Sequence, residues 1–167
     1  KIKIIALPLF IIALWGIGTY KEPDILIAPD MDLVALNSEE GLYVSSKISN
    51  RFLRGAWSES LAFHEDDIKK FPKEGREGPV SCGEFGCRIH IKNKIVSYVH
   101  SYFALSEACN YSDVVMISIP AKAKSCKAHV IDYFDGKYNG VHAIWLDHQE
   151  SQIINAQQLT GDRPWSK

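Results

Sequence analysis

Residues 80–91, with the sequence VSCGEFGCRIHI, place two cysteines on either side of a short, glycine-containing segment. Glycine readily adopts the positive φ that a tight turn requires, so Cys82 to Cys87 predicts a β-hairpin. Residues that face each other in a non-hydrogen-bonded antiparallel pair have Cα atoms about 4.5 Å apart, which suits a disulfide. The segment therefore predicts a Cys82–Cys87 disulfide between strands at Val80–Cys82 and Cys87–Ile91.

The other two of the four cysteines are Cys109 and Cys126. An even number of cysteines in an extracytoplasmic domain favours disulfides, and these two pair by elimination. Free buried thiols and a zinc site are the alternatives. The C-x4-C spacing of Cys82 and Cys87 lies at the edge of the range for zinc ligands, and no second such pair is present. A thioredoxin-like redox motif would require C-x-x-C, which the sequence lacks.

Short apolar or alternating segments separated by turn-forming residues predict a fold that is rich in strands. A helix is predicted from about Asn50 to Ala62, capped by Ser49, and His64–Pro79 is predicted to be an exposed loop. Short helices are predicted at Leu105–Cys109 and near Asp132–Lys137. The remaining predicted strands are Ile25–Ala28, Leu33–Leu36, Leu42–Ser45, Ile95–Val99, Asp113–Ile119, Ala128–Ile131, His142–Leu146 and a last edge strand at Ser151–Leu159. This pattern predicts an α/β fold, with α+β as the alternative.

An uncharged apolar segment from Ile4 to Gly18 follows Lys1 and Lys3. Its length is at the short end for a membrane-spanning helix, which needs about 17–25 apolar residues. We expect a transmembrane anchor over residues 1–22 and a soluble extracytoplasmic domain over residues 23–167. The basic start predicts a cytoplasmic N-terminus, so the domain would lie outside the cytoplasm as part of a single-pass protein. A cleavable signal peptide is the alternative, although no small-x-small site precedes Lys21.

The formal net charge is −1, so the chain as a whole lacks the excess of basic residues that duplex DNA-binding domains show. One local cluster lies in the predicted polar loop and includes an aromatic residue, Phe71. Basic residues interleaved with aromatic ones are typical of single-strand binding grooves. The cluster therefore gives candidate nucleic-acid contacts, with a solvated loop as the alternative because acidic residues interrupt it; its members are Lys69, Lys70, Lys73 and Arg76.

Motifs for catalysis are absent from the sequence, which has no H-E-x-x-H, no G-x-S-x-G and no phosphate-binding glycine loop. We therefore predict no catalytic residue, no metal ligand and no cofactor. The alternative is a metal-dependent nuclease or hydrolase with an atypical ligand set. That set would be drawn from His90, His129, His142 and Asp147.

The order of several segments resembles that of a known protein family. An apolar helix is followed by PDILI (residues 23–27) and DLVAL (32–36), then by the cysteine hairpin, Cys109, the strand DVVMIS (113–118) and Cys126. GVHAIWL (140–146) and the terminal GDRPW (161–165) complete the series. In this order the chain resembles the C-terminal region of the ComEC family of competence proteins, as found in alphaproteobacteria. The resemblance covers nearly the whole chain, but only the end of a typical family member.

The resemblance implies a place in DNA uptake, because ComEC proteins take single-stranded DNA across the inner membrane. It implies a metallo-β-lactamase-like mixed-sheet domain, in a degenerate form because the zinc-ligand run of that fold is missing here. The chain also lacks the channel-forming region, which implies a truncated or split family member. We therefore expect a membrane-anchored, non-catalytic domain whose partners are the inner membrane, single-stranded DNA and other competence-system membrane proteins. A structural periplasmic interaction domain is a further alternative.

Overall fold

A computed structural model describes residues 21–121, 125–147 and 151–161 of the chain. These residues form a mixed α/β fold with two six-stranded sheets. The four helices of the described residues are α1 (Arg51–Ser60), α2 (Tyr102–Tyr111), α3 (Tyr133–Asn139) and α4 (Ala156–Thr160). The strands are β1 (Ile25–Ile27), β2 (Val34–Ser38), β3 (Gly41–Val44), β4 (Lys69–Lys70), β5 (Gly75–Glu77), β6 (Val80–Gly83), β7 (Gly86–Ile91), β8 (Lys94–Val99), β9 (Val114–Ile117), β10 (His129–Ile131), β11 (His142–Leu146) and β12 (Ser151–Asn155).

Both sheets are mixed. The first has the order β12-β11-β1-β2-β3-β4, in which only the β3–β4 pair is parallel. The second has the order β10-β9-β8-β7-β6-β5, in which β8, β9 and β10 run parallel and the remaining pairs are antiparallel. The chain passes from the edge strand β4 of the first sheet to the edge strand β5 of the second.

The main core lies between the two sheets. Alternate residues of each strand point into it, because side chains in a strand alternate between the two faces of the sheet. Ile25, Val34 and Tyr43 contribute from the first sheet, while Ile89 and Met116 contribute from the second. These side chains are almost fully buried, so contact between the two inner faces holds the sheets together.

The outer face of each sheet is also apolar and is covered by a helix. Trp57 of α1 packs with Leu26 and Ala35 on the outside of the first sheet. Leu105 of α2 packs with Val115 on the outside of the second. The architecture therefore has four layers in the order helix, sheet, sheet, helix, which explains why most strands are apolar on both faces.

The cysteine pairs are the ones predicted from the sequence. Cys82 and Cys87 face each other across the β6–β7 hairpin, with a Cα–Cα distance of 4.0 Å, and form a disulfide. Cys109 and Cys126 form the second disulfide, which joins α2 to the segment before β10. Gly86 has a φ of 154°, and a Cβ there would lie 2.3 Å from the carbonyl oxygen of Tyr98. The hairpin therefore requires glycine at this position.

The helix predicted at 50–62 is α1, but the predicted cap is wrong. Asn50 is the N-cap residue, with a left-handed backbone and no capping hydrogen bond from its side chain. Ser49 instead takes part in a turn with Ser46, whose hydroxyl accepts from the Ser49 amide. The predicted core face of the helix is confirmed, since Trp57 and Leu61 are buried.

The predicted exposed loop His64–Pro79 is wrong in part, because it contains the edge strands β4 and β5. Ile68 and Phe71 are buried and fix the segment to the sandwich. The two residues of β4 itself are exposed lysines. Charged residues on edge strands prevent pairing with other chains, so a polar segment is compatible with an edge strand.

The predicted last strand at Ser151–Leu159 is too long. It divides into β12 and α4, because Asn155 and Gln158 form a capping box that starts a helix. The predicted transmembrane anchor over residues 1–22 lies almost wholly outside the described residues. Within the described ranges, none of the helices has the length and apolarity needed to cross a bilayer.

Candidate functional site

The sandwich has two ends, defined by the directions of its strands. The proximal end contains the start of β1, where the chain arrives from residue 21, together with the turn between β7 and β8. The distal end contains the β1–β2 loop, the tip of the Cys82–Cys87 hairpin and the carboxyl ends of β8, β9 and β10. Ligands of open α/β sheets commonly bind beyond the carboxyl ends of strands, so the distal end is the first place to look.

The proximal end has the larger cleft, of about 880 Å³, lined by Asp24, Lys92, Trp145 and other mainly polar residues. The carboxylate at the centre of this cleft, that of Asp24, is already engaged in contacts within the protein. Asp24 is buried, accepts from the amide of Leu146 at 2.7 Å and pairs with Lys92 at 2.7 Å. A buried carboxylate that is paired and hydrogen-bonded stabilises the fold and leaves little capacity for a ligand.

The distal cleft has a volume of about 380 Å³ and includes residues from both sheets. Tyr98 of β8 crosses between the layers and donates its hydroxyl to the carbonyl of Met31, at 2.7 Å. Burial raises the pKa of Tyr98, and the Asp32 and Asp30 carboxylates raise it further. The phenol therefore stays protonated and remains a donor at all physiological pH values.

Met31 lies in the β1–β2 loop, is fully buried and has a φ of 61°. A left-handed backbone is unfavourable for a residue with a Cβ, and such residues persist only where the surrounding structure holds them. The hydrogen bond from Tyr98 and the bond from the Met31 amide to Ala28 provide that support. The loop that carries Asp30 and Asp32 is thus fixed in place.

His100 follows β8 directly and packs edge-on against Tyr98, with a centroid distance of 4.5 Å. Its Nδ1 lies 3.3 Å from the hydroxyl of Ser118, which follows β9. Burial lowers the pKa of His100, and the Asp32 carboxylate opposes this effect only in part. No ion pair links His100 to Asp32 in the described ranges. Ser118, His100 and Asp32 therefore do not form a nucleophile–base–acid relay.

The rim of this cleft is basic on one side. Lys70 and Lys73 line it, and both side chains are exposed. Neither lysine makes an ion pair or side-chain hydrogen bond within residues 21–121, 125–147 and 151–161. Asp32, from the β1–β2 loop, also lines the cleft. The cleft therefore presents two available cations to an anion, with one carboxylate that limits where the anion can lie.

The structure brings together only two of the four predicted nucleic-acid contacts, Lys70 and Lys73. Lys69 points toward the proximal end, where its Nζ donates to the carbonyl of Glu40 at 2.9 Å. Arg76 lines a separate shallow groove on the outer face of the second sheet, and its Nε donates to the carbonyl of Gly78. Lys69 and Lys70 belong to the edge strand β4 of the first sheet, whereas Arg76 belongs to the edge strand β5 of the second, so the four residues do not share one surface.

The alternative metal-ligand set is not assembled. His142 and Asp147 lie five residues apart along and just beyond β11, which corresponds to roughly 17 Å in an extended strand. His90 lies on β7 of the other sheet, while His129 is near enough to His142 to affect its pKa. Burial lowers the pKa of His142. Among the described residues, no three histidine, cysteine or acidic side chains form a group that could hold a metal ion.

No protein-family model matches the sequence, and no curated protein or solved structure matches it either. The described residues define an architectural class, a helix-covered sandwich of two mixed sheets, with a candidate anion-binding cleft at one end.

Sequence reasoning did not single out Asp32, Tyr98 or His100 as site residues. A usable signal was nevertheless present. Strands were predicted to end at Val99 and Ile131, and polar residues, His100 and Asp132, follow each of them directly. If these strands are parallel neighbours, their carboxyl ends lie at the same edge of a sheet. Residues that follow them directly are then candidate ligand contacts. The direction of β8 relative to β9 depends on the long α2 connection, which the pattern of residues does not specify.

Proposed function

We propose that this chain is a membrane-anchored, non-catalytic domain of a ComEC-like DNA-uptake system, and that its distal cleft contacts single-stranded DNA on the periplasmic side. The observation that most favours this function is the pair of exposed lysines, Lys70 and Lys73, at the rim of that cleft. The anchor is the apolar N-terminal segment, and the domain is the sandwich that follows it.

The layer order supports the family assignment. The resemblance implies a metallo-β-lactamase-like sandwich with a mixed sheet and few helices, and the described residues form a sandwich of two mixed sheets with helices on the outer faces. A degenerate member of this fold would retain the sandwich while losing the metal ligands. Function must still be argued from the site rather than from the fold, because one fold supports many activities.

The charge distribution supports an anionic ligand. A phosphate backbone approaching the cleft meets Lys70 and Lys73 without first breaking an ion pair in the described part of the chain. Binding would then release counterions from the nucleic acid, which makes affinity depend steeply on salt. Two disulfides, Cys82–Cys87 and Cys109–Cys126, suit a domain that works in an oxidising compartment.

The first test measures binding of a fluorescent single-stranded oligonucleotide to the full chain in detergent micelles over a salt series. In the double variant Lys70→Gln/Lys73→Gln we expect the slope of log K against log salt to fall by roughly 1.4, since each lost phosphate contact on a single strand contributes about 0.7. The matched control is Lys127→Gln, an exposed lysine next to Cys126 and outside the distal cleft, which should leave the slope unchanged. Equal slopes in both variants would contradict the proposed contact.

The second test addresses topology. A reporter that is active only outside the cytoplasm, fused after Lys167, should be active in cells. Activity of a cytoplasmic reporter at the same position would reverse the proposed orientation. Thiol labelling of the protein from the periplasm should find Cys82, Cys87, Cys109 and Cys126 unreactive before reduction.

A further inference from the structure

Helix α3 presents two aromatic side chains to solvent beside the distal cleft. Phe134 is 44% exposed and Tyr138 is 64% exposed. The two residues are four positions apart, which places them on one face of a helix. Their rings lie nearly parallel, with an interplanar angle of 14° and a centroid distance of 6.0 Å. Most aromatic side chains of this size pack into a core, so an ordered exposed pair requires an explanation.

The helix that carries these rings is rigidly positioned. A capping box between Asp132 and Asp135 fixes its first turn. Gly136, on the buried side, allows the helix to lie directly on the β1–β2 loop, since a Cβ there would be 2.4 Å from the carbonyl oxygen of Pro29. Helix α3 is therefore packed on the β1–β2 loop, which contains Met31 and contributes Asp32 to the distal cleft.

A cation accompanies the rings. The Nζ of Lys137 lies 5.8 Å from the ring centroid of Tyr138 and 6.0 Å from that of Tyr133. The side chain is exposed, so its charge is available to a ligand that stacks on the rings. The one carboxylate in the first turn, Asp135, accepts from the Asp132 amide and is thus used within the helix cap. The helix therefore presents flat apolar faces beside one exposed cation, Lys137, while both of its carboxylates, Asp132 and Asp135, take part in the N-terminal cap.

We infer that the Phe134–Tyr138 pair, referred to here as the α3 platform, stacks the unpaired bases of a nucleic acid strand whose phosphates contact Lys137. This inference rests on the proposed function. It adds that the domain recognises the bases of the strand as well as its phosphates. Base–aromatic stacking needs bases that are free of a partner strand, so the platform selects single strands over duplexes. Flat rings beside a cation fit a base and its phosphate better than they fit a lipid tail.

The test compares two probes on the full chain in detergent micelles, an oligothymidylate and an abasic oligomer of the same length. The double variant Phe134→Ala/Tyr138→Ala should weaken binding of oligothymidylate by about 5- to 150-fold for each base lost from the platform. It should bind the abasic probe as the wild type does. The matched control is Phe52→Ala, an exposed phenylalanine on α1 that lies outside the platform.

The outcomes separate this inference from the proposed function. Unchanged affinity of the platform variant for oligothymidylate, together with weaker binding by Lys70→Gln/Lys73→Gln, overturns the inference alone. An equal loss on both probes also overturns it, because bases would not be involved. Failure of the wild type to bind either probe overturns both proposals. Because Tyr138→Trp retains a flat ring, it should keep the wild-type affinity, and a loss in that variant contradicts stacking.

Discussion

The two ends of the sandwich use the same kinds of residues in opposite ways. At the proximal end Asp24 is paired with Lys92, and Asp113 is paired with Lys94. At the distal end Lys70 and Lys73 have no such partners in the described part of the chain, and aromatic rings are exposed on α3. Charges that are paired stabilise a fold, whereas unpaired charges and exposed rings are available to a ligand. The difference favours the distal end as the site of the proposed function.

The largest expected effect on stability comes from the disulfides, one of which lies at each end. Replacing Cys109 and Cys126 by serine opens the longer loop, with a sequence separation of 17, and should cost about 3 kcal/mol of unfolding free energy. Replacing Cys82 and Cys87, with a separation of 5, should cost about 2 kcal/mol. Chemical denaturation without reductant measures both values.

The same two variants sharpen the comparison of the ends. Only the Cys82–Cys87 disulfide lines the distal cleft. Its removal should therefore weaken oligonucleotide binding, while removal of Cys109–Cys126 should leave the affinity of the folded protein unchanged. The assignment of function to the distal end would be wrong if the second variant lost binding and the first did not.

The next largest loss of unfolding free energy is expected when Asp24 is replaced. In Asp24→Ala, the amide of Leu146 loses its carboxylate acceptor and Lys92 loses its partner. Removing one partner of a fully buried pair typically costs 3–5 kcal/mol, and we expect about 2–3 kcal/mol because the Lys92 side chain is half exposed. Thermal or chemical unfolding of the variant measures this loss.

A control at the same end is Glu39→Ala, whose exposed side chain should contribute less than about 0.5 kcal/mol. DNA affinity should remain at the wild-type value in both variants. A drop in affinity for folded Asp24→Ala would show that the proximal cleft takes part in binding.

Local patterns in the sequence were sufficient for most of the fold. The Cys82–Cys87 hairpin and the core face of α1 were predicted correctly because each depends on residues close together in the chain. The distal cleft depends instead on contacts between distant segments. Tyr98 reaches Met31 across 67 positions, and nothing in either segment alone specifies that contact. The site was therefore missed, although two of its lysines belonged to the predicted basic cluster.

A moderate effect on affinity is expected from Asp32, the one carboxylate among the described residues that line the distal cleft. Asp32→Asn removes a negative charge from the distal cleft and should strengthen oligonucleotide binding about two- to fivefold at low salt. The gain should shrink as salt is raised, because the charges are exposed. Glu39→Gln at the proximal end serves as the matched control. Equal gains in the two variants would point to overall charge rather than to the cleft.

The smallest expected effect is a pH dependence that distinguishes His100 from the rest of the distal end. Burial places the pKa of His100 below its ordinary value of 6.5, so the imidazole is neutral at pH 7. Acidification from pH 7 through the lowered pKa of His100 adds a positive charge to the cleft that Lys70 and Lys73 line, and oligonucleotide affinity should rise. In His100→Gln this rise should be smaller, and binding measured at pH 7 and below that pKa gives the difference between the two proteins.

The same proton has the opposite effect on folding. Since the pKa of His100 is lower in the folded state than in the unfolded state, the unfolded chain binds the proton more readily. The stability contribution of His100 is therefore present above pH 6.5 and is lost as the pH falls through the folded-state pKa. His100→Gln should thus lose less stability on acidification than the wild type while also gaining less affinity. If His100→Gln changed the pH dependence of stability but not that of oligonucleotide affinity, the imidazole would have no part in binding at the distal cleft.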